Sequence, residues 1–417
     1  MPSIKGTIRI ASDKSISHRA LMISSVSHGI SRIKNILRSD DCISTMNCLK
    51  NLGVEIYEKD GELFVHGTGL KLKKPSSALD AGNSGTTVRL LAGILAGQDF
   101  ATEIYGDESL SKRPMKRIVD PLERMGANIS TQDGYLPIQI NGNKLKPINY
   151  LSRISSAQVK SCVLLAGMYA KGNTNYTEPE KSRDHTERML INFGAQITEF
   201  ENTISIKGEA ALHSSDIFVP GDISSAAFFI VAALLLKDSE LKIENVGINP
   251  TRIGILSVLG RMCGNVIVEN KRIVSGEPIA DIIVKSSQLK ATNIIFREIP
   301  MLIDEIPIIA VAATHANGIT KITGAGELRV KETDRLKAIT TELKKMGADI
   351  QELEDGLIIK GPTGLKGATV DSYKDHRIAM SLAVASLVAK GYTEIKDRDC
   401  VKISFPDFWE LFSKSIK

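Results

Sequence analysis

The chain has 417 residues, 42% apolar and 24% charged, with 53 basic against 48 acidic side chains and a formal charge of +5. That composition excludes a disordered chain and gives enough length for two folded domains. The charge is too mild for the dense basic footprint of a nucleic-acid binder, yet compatible with small anionic substrates.

In chain order, the N-terminal "MPSIKGTIRIASDK" has no signal-peptide core and holds a short strand, "SIKGTIRIA" (3–11). Six small-residue helices follow, each running through a Lys or Gly break into a strand: residues 18–36, 86–106, 157–178, 225–246, 305–324 and 376–397. Their breaks recur every 66 to 80 residues. A second pattern, helix end, Gly, strand, turn, strand, Gly, interleaves at 49–67, 122–142, 190–208, 259–276 and 343–361. Gly is expected at C′ of each of these helices, and "KDGE", "QDGY" and "EDGL" are hairpin signals. The sixth copy of the second pattern is missing at the C-terminus, so the N-terminal strand is expected to complete it. The unit read from these patterns is βαβαββ, repeated six times in an α/β protein. Two domains of three units follow, because one core rarely grows past about 250 to 300 residues.

Five widely spaced cysteines (42, 48, 162, 263, 400), never in a C-x-x-C pair, indicate neither a disulfide framework nor a zinc site and fit a reducing cytoplasm. The longest apolar run, "AAFFIVAALLL" (226–236), is short of the roughly 20 residues of a membrane span and reads as a buried helix.

The segments entering the six helices are "SDKSISHR" (12–19), "DAGNSGTTVR" (80–89), "SRISSAQVK" (152–160), "PGDISSA" (220–226), "MLIDEIP" (301–307) and "SYKDHR" (372–377). Each is expected to cap its helix with Ser, Asp or Asn, and a helix N-terminus presents unpaired N–H groups to anions. Taken singly these are caps more often than ligands, and "GNSGTT" lacks the Gly-Lys-Ser/Thr of a nucleotide loop. Together with "ESLSKRPMKR" (108–117), they are expected to bring Lys14, Arg19, Arg89, Arg113 and Arg377 to one crevice between two halves. Such a set suits two small molecules bearing phosphate or carboxylate groups. Asp304, Glu305, Glu332, Asp334 and Asp375 then serve as charge compensation or as general acids and bases; no spacing resembles a carboxylate cage for Mg²⁺. In "LRVKETDRLK" (328–337), Lys331 and Arg335 are like charges four apart, which is unfavourable on a helix unless an anion lies beside them.

Seven ordered segments, "DKSISHRALM", "GNSGTTVRLLAG", "KRPM", "SSAQVKSCVLLAG", "IDEIPIIAVAA", "LRVKETDRL" and "DHRIAMSLAVA", resemble the successive signatures of the 5-enolpyruvylshikimate-3-phosphate synthase family. The resemblance covers nearly the whole chain. It implies the two-domain enolpyruvyl transferase fold, three βαβαββ repeats per domain with helices buried under sheets, the domains being 1–12 plus 222–417 and 13–221, with the active site between them. It implies transfer of the enolpyruvyl group of phosphoenolpyruvate to the 5-hydroxyl of shikimate 3-phosphate, without metal or organic cofactor, by a cytoplasmic monomer that binds neither nucleic acid nor membrane. Carried over by position, Lys14, Ser15, Arg19, Ser156, Gln158, Ser182, Asp304 and Lys331 bind shikimate 3-phosphate. Lys14, Gly85, Arg113, Gln158, Arg335 and Arg377 bind phosphoenolpyruvate, and Asn83, Thr86, Arg89, Ser155, Glu305 and His376 support them. Asp304 takes the hydroxyl proton, Glu332 exchanges a proton with the methylene carbon, and Lys331 and Lys14 flank both. Gly85, where alanine would crowd the phosphoenolpyruvate pocket, implies sensitivity to glyphosate.

Three positions depart from one branch of the family: His185 stands for a tyrosine, Ile403 for a lysine with Lys402 one place away on the opposite face of an expected strand, and Glu327 for an asparagine-like contact. Two other readings compete with this one. A UDP-N-acetylglucosamine enolpyruvyl transferase uses a loop cysteine, and "GDESLSKRPMKR" has none. A pseudo-symmetric nucleic-acid scaffold requires a continuous basic, aromatic-lined groove.

Overall fold

The small-residue segments are the buried helices of the structure, a computed structural model that describes residues 2–417. Unit I comprises the N-terminal residues through Ala11, Pro220–Ile273 and Pro278–Lys417; unit II comprises Ser12–Val219 and the turn Val274–Glu277.

Unit II holds helices α1 (Lys14–Ser25), α2 (Asp40–Asn51), α3 (Gly85–Ala96), α4 (Glu108–Ser111), α5 (Lys116–Arg124), α6 (Ala157–Gly167) and α7 (His185–Asn192). Its three sheets share one strand order. Leu79–Asp80 runs parallel to Ala101–Tyr105, which pairs antiparallel with Tyr135–Asn141, and that with Asn128–Gln132. The sheet of Asn149–Leu151, Asn173–Thr177, Thr203–Lys207 and Ile197–Phe200 repeats it. In the third, Ile217–Phe218 supplies the parallel edge to His28–Lys34, Glu62–Thr68 and Glu55–Lys59. The alternating apolar residues of these strands cover α1, α3 and α6 in one core. Helices α3 and α6 approach closely because Gly93 has no side chain: a Cβ there would stand 2.3 Å from the Cys162 carbonyl oxygen.

Unit I holds α8 (Ile223–Leu235), α9 (Gly254–Arg261), α10 (Ile306–Thr314), α11 (Arg335–Lys345), α12 (His376–Val388) and α13 (Phe408–Ser415). The apolar run 226–236 lies largely within α8 and is core, not membrane span: Phe228 packs on Phe408, and Phe229 on Phe405, Phe408 and Phe412, with ring centroids 5.9 to 6.2 Å apart. Burying each such ring contributes roughly 1.5 to 3 kcal/mol. Among the described residues, no helix is long and apolar enough to cross a membrane.

Two expectations from the repeat are corrected. The N-terminal strand Lys5–Ile8 joins the sheet of the fourth unit, parallel to Glu240–Gly247, and does not complete the sixth. The sixth is a two-stranded sheet, Thr369–Asp371 with Glu394–Lys396. The N-terminus meets the chain end through the Ile4–Ile416 bridge and the hydrogen bonds exchanged between Ser3 and Lys417. Glycine takes the left-handed C′ position at 53, 126, 194 and 347, but after α9 that position is Cys263, at φ +64°. Gly264 follows it, so the pattern is shifted by one residue.

Candidate active site

Helix starts fix the functional side chains. Asp13 caps α1 through Ile16 N, Ser84 caps α3 through Thr87 N, Ser156 caps α6 through Val159 N, Asp222 caps α8 through Ser224 N, and Asp375 caps α12 through Arg377 N and Ile378 N. The sixth start differs: α10 follows two 3₁₀ turns, its N-cap is Glu305, and no side chain caps it.

In unit II these starts gather cations. Lys14 Nζ donates to Asp41 Oδ2 at 2.9 Å, across the first turns of α1 and α2. One turn on, the buried Arg19 guanidinium donates to Thr186 Oγ1 (2.7 Å), Ser161 Oγ (2.8 Å) and the Ser15 carbonyl (2.9 Å). Burial lowers its pKa to about 10, although Glu187 opposes the shift. The Ser15 hydroxyl accepts from Arg183 at 3.3 Å. Arg89 donates to Gln158 Oε1 at 2.7 Å, and the same amide donates to Thr86 Oγ1 at 3.1 Å. Arg113 donates to Asn83 Oδ1 at 2.7 Å. Gly85 opens α3 beneath both arginines: a Cβ there would stand 2.9 Å from Arg89 Nη1 and 3.6 Å from Arg113 Nη1.

Ser182 and Ser155 are turned to their own loop. The Ser182 hydroxyl donates to Glu178 Oε2 at 2.6 Å, and Ser155 Oγ accepts from Glu180 N at 2.9 Å. Glu178 is held in turn by the fully buried Lys160, which also pairs with Glu187, both at 2.8 Å. His185, in place of tyrosine, hydrogen-bonds Glu277 at 2.7 Å.

Unit I gathers acids around an arginine. Arg335, at the first position of α11 and 1% exposed, donates to Asp375 Oδ2 (2.8 Å), Glu332 Oε2 (2.5 Å) and Asp304 Oδ1 (3.2 Å). Burial alone would lower its pKa, but the three carboxylates raise it above the ordinary arginine value. Arg377 stands 3.5 Å from Asp304 Oδ2 and 4.0 Å from Glu305 Oε1. Lys331 is half-buried, and desolvation lowers its pKa against the pull of Asp304. His376 is buried at the start of α12.

The charged segment 328–337 is not one helical face. Lys331 ends a 3₁₀ turn, Gly326–Val330, and α11 begins only at Arg335, so the two cations are not helical i,i+4 neighbours. Asp334 is the cap, accepting from Lys337 N at 3.1 Å and from Arg329 at 2.7 Å. The region of Ile403 and Lys402 is a 3₁₀ turn, Arg398–Ile403, and not the expected strand.

Sequence reading did not single out Asp41, Arg183 or Lys160. Arg183 was legible in "KSRD", between Ser182 and His185; Lys160 sits inside an otherwise apolar helix, which was itself a signal that carboxylates must lie opposite.

A family model for EPSP synthase (3-phosphoshikimate 1-carboxyvinyltransferase) matches residues 1–412. The chain belongs to this family. It is 53% identical to the 3-phosphoshikimate 1-carboxyvinyltransferase of Endomicrobium trichonymphae, covering 98% of this chain and 97% of the relative, and 50% identical to that of Bacillus pumilus, covering 98% and 96%. An EPSP synthase structure from Acinetobacter baumannii superposes with a TM-score of 0.89 at 44% identity, covering 100% of this chain and 97% of that one. The enolpyruvyl transferase NikO from Streptomyces tendae shares the fold, with a TM-score of 0.80 at 18% identity over 100% of this chain and 96% of that one. The enolpyruvyl transferase fold and a transferase activity are therefore those of the family.

Proposed function

We propose that the chain transfers the enolpyruvyl group of phosphoenolpyruvate to the 5-hydroxyl of shikimate 3-phosphate, releasing inorganic phosphate. The observation that carries the proposal is Arg335 holding both proton-handling acids, Asp304 and Glu332, at 3.2 and 2.5 Å. Lys14, Ser15, Arg19, Ser156, Gln158, Ser182 and Lys331, with Asp304, take shikimate 3-phosphate. Gly85, Arg113, Arg335 and Arg377, with Lys14 and Gln158, take phosphoenolpyruvate. Asn83, Thr86, Arg89, Ser155, Glu305 and His376 support these contacts.

In the addition half, Asp304 accepts the proton of the 5-hydroxyl as its oxygen bonds to C2 of phosphoenolpyruvate, and Glu332 delivers a proton to the C3 methylene. In the elimination half, Glu332 takes a proton back from the new methyl group as the C2–O bond to phosphate breaks, and the departing phosphate carries off the bonding pair and the proton that Asp304 had accepted. An acid at one carbon and a base at the attacking oxygen are the general catalysis this chemistry requires, and the arginines hold charge already present in the reactants. The protein acts as a cytoplasmic monomer on small molecules, with neither metal nor cofactor, and is sensitive to glyphosate.

Phosphate release with both substrates tests the reading. Release requiring shikimate 3-phosphate supports it; release only with UDP-N-acetylglucosamine as acceptor, or none with either, sinks it.

A further inference from the structure

Beneath the acid–arginine cluster of unit I lies a second buried charged group, built from the start of α8, the turn 249–252, the start of α10 and the start of α12. Arg252, 2% exposed, donates through Nη2 to Ser224 Oγ at 2.6 Å and to Asp222 Oδ1 at 3.3 Å. The turn that delivers it is fixed by Asn249, whose side chain accepts from Thr251 N at 2.9 Å and whose carbonyl accepts from Arg252 N at 2.8 Å. Ser224 passes the contact on: it accepts from Arg252 and its hydroxyl donates to Glu305 Oε1. Glu305 is 1% exposed, and that same Oε1 faces Arg377 Nη1 at 4.0 Å. Arg377 also donates to the Asp304 carbonyl at 3.4 Å.

We infer that Arg252, acting through Ser224, is a positioning residue: it is the resident counter-ion of Glu305, and it thereby leaves Arg377 available to phosphoenolpyruvate. The inference rests on the proposed transfer reaction. A carboxylate buried this completely requires a cation or takes up a proton. Burial raises the pKa of Glu305, and of the two arginines that oppose the rise, Arg252 acts more strongly than Arg377. With Arg252 removed, Arg377, 4.0 Å from Glu305 Oε1, is left to neutralise it. Its guanidinium then turns toward Glu305, at the expense of a bidentate grip on substrate.

The inference has a signature that a merely structural role lacks: removing the second charge should repair the loss of the first. Steady-state phosphate release is measured for the wild type, Arg252→Met, Glu305→Gln and the double variant, each substrate being varied at saturation of the other. Arg252→Met should raise KM for phosphoenolpyruvate about tenfold, the scale of a lost charge-assisted contact, with KM for shikimate 3-phosphate changed less than about twofold. The double variant should recover KM for phosphoenolpyruvate to within about threefold of wild type. If Arg252→Met does not fold, Ser224→Ala, which removes only the bridging hydroxyl, takes its place with Glu305→Gln as suppressor. An unchanged KM for phosphoenolpyruvate, or a double variant as impaired as the single one, overturns the inference while the transfer reading stands. A wild type that releases no phosphate overturns both.

Discussion

Arg19 and Arg335 are the same residue type, 3% and 1% exposed, one in the second turn of α1 and the other opening α11, yet their pKa values move in opposite directions. Arg19 of unit II is held by two hydroxyls and a carbonyl, and burial lowers its pKa to about 10. Arg335 of unit I is held by three carboxylates, which overcome burial and raise it. The difference follows from what each partner returns for lost hydration: a neutral dipole returns part of it, an ionised carboxylate more. Arg19 therefore gains most from an arriving anion. Arg335 is already neutralised, and a substrate must compete with its acids.

The largest expected effect lies in the acids themselves. Glu332→Gln keeps the hydrogen-bonding shape at Arg335 but removes the proton carrier, so turnover should fall about 10²- to 10⁴-fold, with KM values changed little. Single-turnover phosphate release checks it, and near-normal turnover would return Glu332 to simple charge compensation.

Next come the two arginines. Arg335→Met leaves Asp304, Glu332 and Asp375 without their common cation, and breaking a buried ionic group of this kind costs about 3 to 5 kcal/mol. Arg19→Met leaves hydroxyls that already bond each other, Ser161 to Thr186 at 2.6 Å, so its cost should be about 1 to 2 kcal/mol. Affinity for shikimate 3-phosphate should nevertheless fall steeply in Arg19→Met. Urea melts and substrate titrations on the two variants decide this; equal destabilisation would erase the contrast.

How much of this was legible follows the same division between local and distant partners. The caps Asp13, Ser84, Ser156, Asp222 and Asp375 were legible because a cap bonds N–H groups two or three residues away. The buried helices were legible from small-residue periodicity. The pairing of Lys5–Ile8 with Glu240–Gly247 was not, because a short strand carries no mark of which distant edge receives it. Lys331 and Arg335 looked like helical neighbours because local spacing cannot tell a 3₁₀ turn from the first turn of a helix. The partners of Arg335 lie 3, 31 and 40 residues away, and only Glu332 was within reach of a local rule. Arg252 carries no local signal at all, since Ser224 is 28 residues behind it.

A smaller effect probes how tightly the cations of unit II are placed. Gly85→Ala would press a Cβ against Arg89 Nη1 at 2.9 Å, closer than ordinary contact, and Arg89 is the partner of Gln158. The arginine must give by a few tenths of an ångström. KM for phosphoenolpyruvate should rise about three- to tenfold, roughly one lost hydrogen bond, and glyphosate should inhibit less well than in the parent. Equal inhibition of both proteins would place the inhibitor away from Gly85.

The gentlest probe uses a group that reports the cations without being one. His18 is fully buried on α1 and hydrogen-bonds Thr45 Oγ1 at 2.7 Å; Thr45 bonds Thr87 Oγ1 at 2.6 Å, and Thr87 bonds Ser84 Oγ at 2.7 Å. Burial, then Lys14, then Arg19 hold its pKa well below 6.5. The unfolded chain takes up a proton near 6.5 and the folded chain does not. Stability contributed by neutral His18 is therefore intact above 6.5 and declines as pH falls below it, by at most about 1.4 kcal/mol per pH unit, until the folded pKa is reached. His18→Gln should flatten this slope. Inorganic phosphate bound beside Lys14 and Arg19 would weaken the field on His18, raise its folded pKa and shorten the window of loss. Melting temperatures between pH 7 and pH 5, with and without phosphate, read both effects. A slope indifferent to phosphate in the parent, but abolished in His18→Gln, would mean that burial alone sets the shift and that the cations of unit II are neutralised as fully as Arg335.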